Sequence, residues 1–72
     1  MKVFILVLNQ EITNTPTDID QFVKVSLNRE ELEKEVQVGN SRIDEVWDED
    51  WMEYDGTSMS DKPYYYILKE EV

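Results

Sequence analysis

The sequence lacks the two residue types on which most catalytic and metal sites depend. Its 72 residues include no cysteine and no histidine. The absence of cysteine excludes disulfides, and the absence of both excludes the familiar zinc sites. Ser-His and Cys-His nucleophile arrangements are excluded as well. We therefore expect no catalytic residue, no metal ligand and no cofactor, and we predict that the protein is not an enzyme.

Glycine is also scarce, since Gly39 and Gly56 are the only two. A loop that cradles phosphate through closely spaced glycines is therefore excluded. Paired carboxylates alone can hydrolyse glycosides, but one of them needs a deep cleft that raises its pKa. A chain of 72 residues has little material for such a cleft.

A calcium-binding loop is the remaining metal site to consider. Asp48, Asp50 and Asp55 resemble the start of an EF-hand loop. The register fails, because Met52 stands where the third oxygen ligand is needed and Met59 stands at the twelfth position. The sequence therefore predicts no EF-hand.

Positive charge is the next shortage. Seven Lys and Arg face 17 Asp and Glu, which gives a net charge of −10. Direct binding to nucleic acid or to an anionic membrane is disfavoured, because both need clustered bases. A basic protein would instead be attracted, with a strong dependence on salt. The simpler alternative is that the charge only maintains solubility.

The chain has no long hydrophobic run. The longest, residues 3–8, is too short for a signal peptide core or a membrane span, so we expect a cytoplasmic protein. We expect a single domain over residues 1–72, of marginal stability because so small a chain buries little surface. Dimerisation is one way to complete such a core, so a homodimer is a candidate assembly.

Local patterns predict four strands and one helix. Three strands are predicted at residues 3–8, 19–25 and 64–68, with a loop around Pro16. The fourth is the interpretation preferred for residues 42–54. A helix is predicted over residues 29–38, with Asn28 as N-cap, Glu31 completing a capping box and Gly39 ending it at C′. The fold class is α+β, a small mainly antiparallel sheet of about four strands in the order β-β-α-β-β.

Residues 42–54 are ambiguous. Ile43, Trp47, Trp51 and Tyr54 recur at helical spacing. The same stretch also alternates as a strand would, and Val, Trp and Tyr suit sheets, whereas repeated Asp is poor in a helix interior. We prefer a strand here, followed by a turn at residues 55–58 and a loose connection up to Pro63.

The most informative feature lies in this stretch, because residues 43–61 contain eight acids and no Lys or Arg. On a strand, alternate carboxylates would stand roughly 6.6 Å apart on one face. DNA also presents a regular row of negative charge, with about 3.4 Å of helix axis per phosphate on each strand. The candidate partner-binding residues are Asp44, Glu45, Asp48, Glu49, Asp50, Trp51, Glu53, Tyr54 and Asp55.

The aromatic residues in this run have two interpretations. Trp and Tyr often anchor protein interfaces and can stack with arginine, so Trp51 and Tyr54 are candidate anchors. Core packing is the alternative, and we expect it for at least one of Trp47 and Trp51.

In charge, size and acidic-aromatic composition the chain resembles the small acidic DNA-mimic proteins of bacteriophages. That resemblance implies a viral inhibitor of host DNA-binding proteins, with the host cytoplasm as its location. Candidate partners are then an HU-type nucleoid protein, a CRISPR or restriction effector, or RNA polymerase. The alternative functions are a protein-interaction adaptor that uses an aromatic or sheet-edge surface, and an antitoxin-like protein that covers a basic toxin.

Overall fold

Two long strands, β1 and β4, form the centre of the fold. The computed structural model describes residues 1–15 and 17–72, and the predicted loop residue Pro16 lies outside them. The elements in chain order are β1 (Lys2–Ile12), β2 (Ile19–Ser26), α1 (Arg29–Val46), β3 (Glu53–Tyr54) and β4 (Thr57–Glu71). The strands pair antiparallel in the order β2-β1-β4-β3. The predicted α+β class and its β-β-α-β-β order are confirmed.

β1 is the central strand because its β-branched and aliphatic residues are enclosed on both sides. Leu6, Val7 and Leu8 are buried. Side chains alternate across a strand, so Leu6 and Leu8 face α1, where Leu32 and Ile43 are buried too. Apolar burial of this kind is the main stabilising term of the fold. One helix therefore covers one face of the sheet.

β4 is longer than the sequence indicates. Residues 59–63, predicted as a loose connection, belong to the strand, so that prediction is wrong. Thr57 and Ser58, predicted as the end of the turn, belong to it as well. Pro63 is the residue that suggests an interruption, yet it is buried within β4. The register with β1 shifts between Asn9 and Glu11, opposite the segment from Tyr64 back to Asp61. An irregularity in the ladder is where a residue without an N–H is tolerated.

α1 begins where it was predicted to begin, but the hydrogen bonds at its N-terminus differ from the predicted capping box. Asn28 is the N-cap, and its side-chain oxygen accepts a hydrogen bond from the Glu30 N–H at 3.0 Å. Glu31 does not complete a capping box. Its carboxylate instead accepts hydrogen bonds from Ser26 Oγ at 3.2 Å and from Lys24 Nζ at 3.1 Å. The capping role predicted for Glu31 is therefore replaced by a link between α1 and β2.

The predicted helix end at Gly39 is wrong, because α1 continues to Val46. Gly39 lies where α1 crosses the Tyr65 ring, and an added Cβ would stand 2.6 Å from two ring atoms. The side chain of the adjacent Asn40 stabilises this crossing through two hydrogen bonds to the Tyr65 backbone. Its Oδ1 accepts from the Tyr65 N–H at 2.7 Å, and its Nδ2 donates to the Tyr65 carbonyl at 3.3 Å. Gly39 is therefore a close-packing residue and not a helix terminator.

The strand preferred for residues 42–54 is also wrong, apart from its last two residues in β3. The helix takes up residues to Val46, Trp47 is its C-cap, and residues 48–52 form a turn. Ile43, which is 1% exposed, explains the outcome. Its burial against the sheet outweighs the weak helix propensity of the neighbouring acids.

Substituting Gly39→Ala should destabilise the protein by about 1–2 kcal/mol, because the new methyl group overpacks against Tyr65. Helix propensity alone predicts the opposite, a gain of about 1 kcal/mol. Urea unfolding followed by circular dichroism distinguishes the two results. The double variant Gly39→Ala with Tyr65→Leu is the control and should recover part of the loss. A Gly39→Ala protein more stable than the unsubstituted chain would refute this packing role.

Candidate functional site

The acidic run is distributed over three consecutive structures instead of one strand. Asp44 and Glu45 lie in the last turn of α1. Glu49, Asp50 and Trp51 lie in the following turn. The remaining predicted residues are Asp48, Glu53, Tyr54 and Asp55, at the β3 hairpin and its approach. A row of carboxylates at regular strand spacing is therefore absent from the described chain, and the expectation of one is wrong.

The turn is held by Asp48. Its main chain exchanges two hydrogen bonds with Glu53, at 3.0 and 3.1 Å. Its Oδ1 accepts from the N–H groups of Asp50 and Trp51, at 3.1 and 3.2 Å. An Asp side chain that bonds the next backbone N–H groups builds a tight turn. The Asp48 carboxylate therefore positions its neighbours.

A two-residue hairpin follows. Asp55 and Gly56 both have positive φ, at 51° and 79°, and Tyr54 pairs with Thr57 across them. Two consecutive residues in this region form the tight turn that best matches strand twist. The predicted turn is thus confirmed at Asp55 and Gly56, while Thr57 already belongs to β4. The hairpin holds the exposed Asp55 at the tip.

Within the part of the chain that the structure describes, Asp44 is the one candidate acid with a cationic partner, since it forms an ion pair with Lys62 of β4. Glu45, Glu49, Asp50 and Asp55 are exposed, and nowhere in residues 1–15 and 17–72 does a Lys or Arg pair with them. These four carboxylates are consequently free to meet a partner's charges.

Two acids distant in sequence, Glu11 and Asp18, join this region through the sheet register. Glu11 of β1 stands opposite Asp61 of β4, and the Thr13 N–H donates to the Ser58 carbonyl at 3.0 Å. Asp18 interacts with Glu11: a hydrogen bond with Asp18 and repulsion from its charge raise the pKa of Glu11, with smaller contributions from burial and Asp61. The acidic run itself gives no indication of Glu11 and Asp18, because only strand pairing brings them near.

We call this region the acidic end. It carries ten of the chain's acids and includes one base, Lys62, with Arg42 one turn back along α1. Its acids are Glu11, Asp18, Asp44, Glu45, Asp48, Glu49, Asp50, Glu53, Asp55 and Asp61.

The acids of the rest of α1 are arranged differently. Lys24 bridges Glu31 and Glu35, at 3.1 and 3.2 Å, and Arg29 pairs with Glu33 at 3.0 Å. The hydrogen bond from Lys24 lowers the pKa of Glu31. Acids in the first turn also interact favourably with the positive end of the helix dipole. The charge at this end of the helix is therefore compensated.

The C-terminal end of α1 has the opposite electrostatics. Its last turn carries Asp44 and Glu45 and no basic residue. Negative charge at a helix C-terminus opposes the dipole, an effect of about 0.3–1 kcal/mol per group at exposed sites. The chain thus places Asp44 and Glu45 where their charges destabilise the helix.

The two tryptophans have separate positions. Trp47, the C-cap of α1, is half-buried, and its N–H donates to the Ile43 carbonyl at 2.8 Å. Trp51 is 74% exposed in the turn between the acids. Tyr54 is half-buried in β3. Packing against the protein therefore buries much of the Trp47 side chain and little of the Trp51 side chain.

A shallow cavity of about 370 Å³ opens between α1, the turn and β4. Its walls include Trp47, Met52 and Lys62, together with the carboxylates of Asp44, Glu49 and Asp61. An aromatic ring beside several carboxylates suits an arginine or lysine side chain.

A search of the described residues found no group of three Asp or Glu side chains placed to hold a metal ion. In the same part of the chain, no helix has the length and apolar character needed to cross a membrane. Comparison with known proteins found no matching family model, no similar curated protein and no similar solved structure.

Replacing Glu11 by Gln should raise the melting temperature at pH 7. The raised pKa means that the folded state binds the Glu11 proton more readily than the unfolded state. Stability from this group is therefore fully present below the ordinary value of 4.5 and is lost as pH rises through the raised pKa. The difference between Glu11→Gln and the unsubstituted protein should accordingly shrink at pH 4.

Thermal unfolding at pH 7 and pH 4 measures this effect. Glu70→Gln, which removes one exposed strand carboxylate outside the acidic end, is the matched control. An equal gain from both variants would attribute the effect to net charge and would refute the local repulsion.

Proposed function

We propose that this chain is a non-enzymatic acidic DNA mimic, which binds a basic DNA-binding protein and blocks its access to DNA. The observation that supports this most is the acidic end, which groups ten acids with one base and includes two acids, Asp44 and Glu45, at a helix terminus that disfavours negative charge. Solubility alone gives no reason to place the charge there. An arrangement that lowers stability is typical of a binding surface.

The acidic end has the features that a phosphate-binding groove recognises. Four free carboxylates are held on a helix end, a hydrogen-bonded turn and a tight hairpin, so their positions are largely fixed before binding. Lys and Arg side chains that bind phosphate can bind these carboxylates with similar charge-assisted hydrogen bonds. The basic partner releases its bound anions in the process, so affinity falls as salt rises.

Trp51 and the neighbouring cavity add contacts that charge alone does not provide. The exposed indole can anchor an interface or stack with an arginine. The cavity beside Trp47 can accept one basic side chain of the partner. These features give the surface specificity among basic proteins.

The proposed partners are an HU-type nucleoid protein first, then a CRISPR or restriction effector, and then RNA polymerase. The protein would act in the cytoplasm, which is the host cytoplasm if it is viral. It would bind neither nucleic acid nor membrane directly, because its net charge is −10.

One observation favours the second candidate, an interaction adaptor or antitoxin-like protein. Seven of the eight residues of β2 are exposed, among them Phe22, Val23 and Val25. An exposed apolar edge strand can pair with a strand of another protein. Binding by that route would survive high salt, whereas binding through the acidic end would not.

The direct test is competition for a fluorescent DNA duplex bound to an HU-type protein, at 50–300 mM NaCl. The test variant replaces Glu45 and Glu49 by Gln and Asp50 and Asp55 by Asn, which suits positive φ at position 55. We expect at least a tenfold loss of inhibition, or about 1.4 kcal/mol.

The matched control removes the same four charges elsewhere, through Glu→Gln at positions 30, 33, 70 and 71. It should lose no more than about threefold, because long-range attraction is screened at these salt concentrations. Equal losses in both variants would contradict the mapping. Failure of the unsubstituted protein to displace DNA from any of the three partner classes would contradict the DNA-mimic function.

Replacing Trp51 by Ala should separate binding from folding. Because the side chain is 74% exposed, the free energy of unfolding should change by no more than about 0.5 kcal/mol. Inhibition in the same competition assay should weaken about tenfold if the indole is an anchor. Trp51→Phe keeps an aromatic ring and should retain most of it. A Trp51→Ala protein that inhibits as well as the original excludes this anchor.

A further inference from the structure

The sheet face opposite α1 is apolar and is covered by no element of the described chain. Cross-strand pairing places Phe22 of β2, Val7 of β1 and Tyr66 of β4 in one row, and Val25, Ile5 and Leu68 in another. We call these six residues, with Val3 and Tyr64, the open face. Side chains directly opposite in an antiparallel pair point to the same side of the sheet.

The open face is exposed at its margins and packed at its centre. Phe22, Val25 and Tyr64 are 63%, 62% and 50% exposed. Val7 is fully buried although α1 lies on the other side, because its two cross-strand neighbours are aromatic. The result is a continuous apolar surface of a kind that soluble monomers rarely leave exposed.

Charge lies at the ends of this surface, because alternation along β1 places Glu11, opposite Asp61, on the same side as Val7 and Asn9. Asp20 lies at one end, where it accepts a hydrogen bond from Asn9 Nδ2 at 2.9 Å, and Glu70 lies at the other end. The free acids of the acidic end lie on α1, the turn and the hairpin instead. The middle of the open face is therefore apolar and uncharged despite the net charge of −10.

The molecule as a whole exposes more surface than a monomer of its mass is expected to expose. The molecule exposes 5252 Å². A monomeric protein of 8.6 kDa is expected to expose about 4,700 Å². The excess is about 550 Å², and two copies that covered it would bury about 1,100 Å² together. That area lies close to the lower limit for stable interfaces, about 1,200 Å².

We propose that a second copy of this chain covers the open face, so that two sheets pack face to face about a two-fold axis. A face with an uncharged middle can pack on its own copy, because residues near a two-fold axis meet their own copies and like charges there would repel. With the axis perpendicular to the strands, the two acidic ends lie at opposite tips of the dimer, which minimises their repulsion.

A second copy is favoured over an unrelated protein by the needs of folding. The described core contains six buried apolar side chains, few for a chain that must fold without disulfides or metal. A surface that completes the core must be covered as soon as the protein is made. Another copy of the chain is always present at that moment. This proposal does not rest on the DNA-mimic function.

Sedimentation equilibrium of the purified full chain from 1 to 500 µM tests the proposal. We expect a transition from the mass of one chain, 8.6 kDa, to twice that mass, at micromolar concentration. The dissociation constant of the dimer should be at least twofold lower in 500 mM NaCl than in 50 mM NaCl, because salt screens the repulsion between two acidic chains. Binding through the acidic end has the opposite salt dependence.

Two matched variants locate the interface. Val25→Asp introduces a charge into the open face, and Val38→Asp makes the same change on α1 at a site of similar exposure, 69% against 62%. We expect Val25→Asp to weaken dimerisation at least a hundredfold and Val38→Asp to change it less than threefold, with circular dichroism confirming that both fold. A single-chain mass at every concentration and salt, or equal effects of the two variants, would overturn the proposal.

Isotope-filtered nuclear Overhauser spectra of the unsubstituted protein provide a test that needs no folded variant. In a mixture of labelled and unlabelled chains, Phe22 and Leu68 should show contacts between copies. Hydrogen exchange distinguishes the face-to-face dimer from a dimer in which the β2 edges of two copies pair. Protection of the outward N–H groups of β2, without contacts from Leu68, would indicate edge-to-edge strand pairing and would overturn the face-to-face dimer.

Discussion

The crossing of α1 over β4 at Tyr65 is the contact on which the rest of the structure depends. Gly39 lets the helix approach the Tyr65 ring, and Asn40 satisfies the strand backbone beside it. This crossing buries Leu32 and Ile43 and directs α1 along one face of the sheet. The opposite face of the sheet remains apolar and open. The chain after Val46 continues into the turn and hairpin of the acidic end.

Charge and apolar surface are separated as a consequence. Most of the acidic end is a helix terminus, a turn and a hairpin, whose backbone is fixed by local hydrogen bonds, and the sheet adds Glu11, Asp18 and Asp61. Negative charge there opposes the dipole of α1, and a hydrogen bond with Asp18 together with repulsion from its charge raises the pKa of Glu11. A small domain can tolerate such a surface because repulsion between exposed charges is screened within about 8–10 Å.

Local sequence signals predicted the elements better than their extents. The apolar run of β1, the N-cap Asn28 and the final strand were all evident, and with them the fold class. Gly39 and Pro63 were misleading because each resembles a breaker, while tertiary contacts decide its role. The acidic run was found from composition, but its shape and the addition of Glu11 and Asp18 depend on strand register, which no local pattern contains.

The measurement that tests the central claim most directly is an amide chemical-shift map of the ¹⁵N-labelled protein titrated with an HU-type DNA-binding protein. The claim is that the acidic end meets the partner while the open face does not. We predict that amides of residues 44–55 and of Glu11 and Asp18 shift, and that those of Ile5, Phe22 and Val25 stay fixed. Shifts confined to the open face, with an unchanged acidic end, would contradict the account.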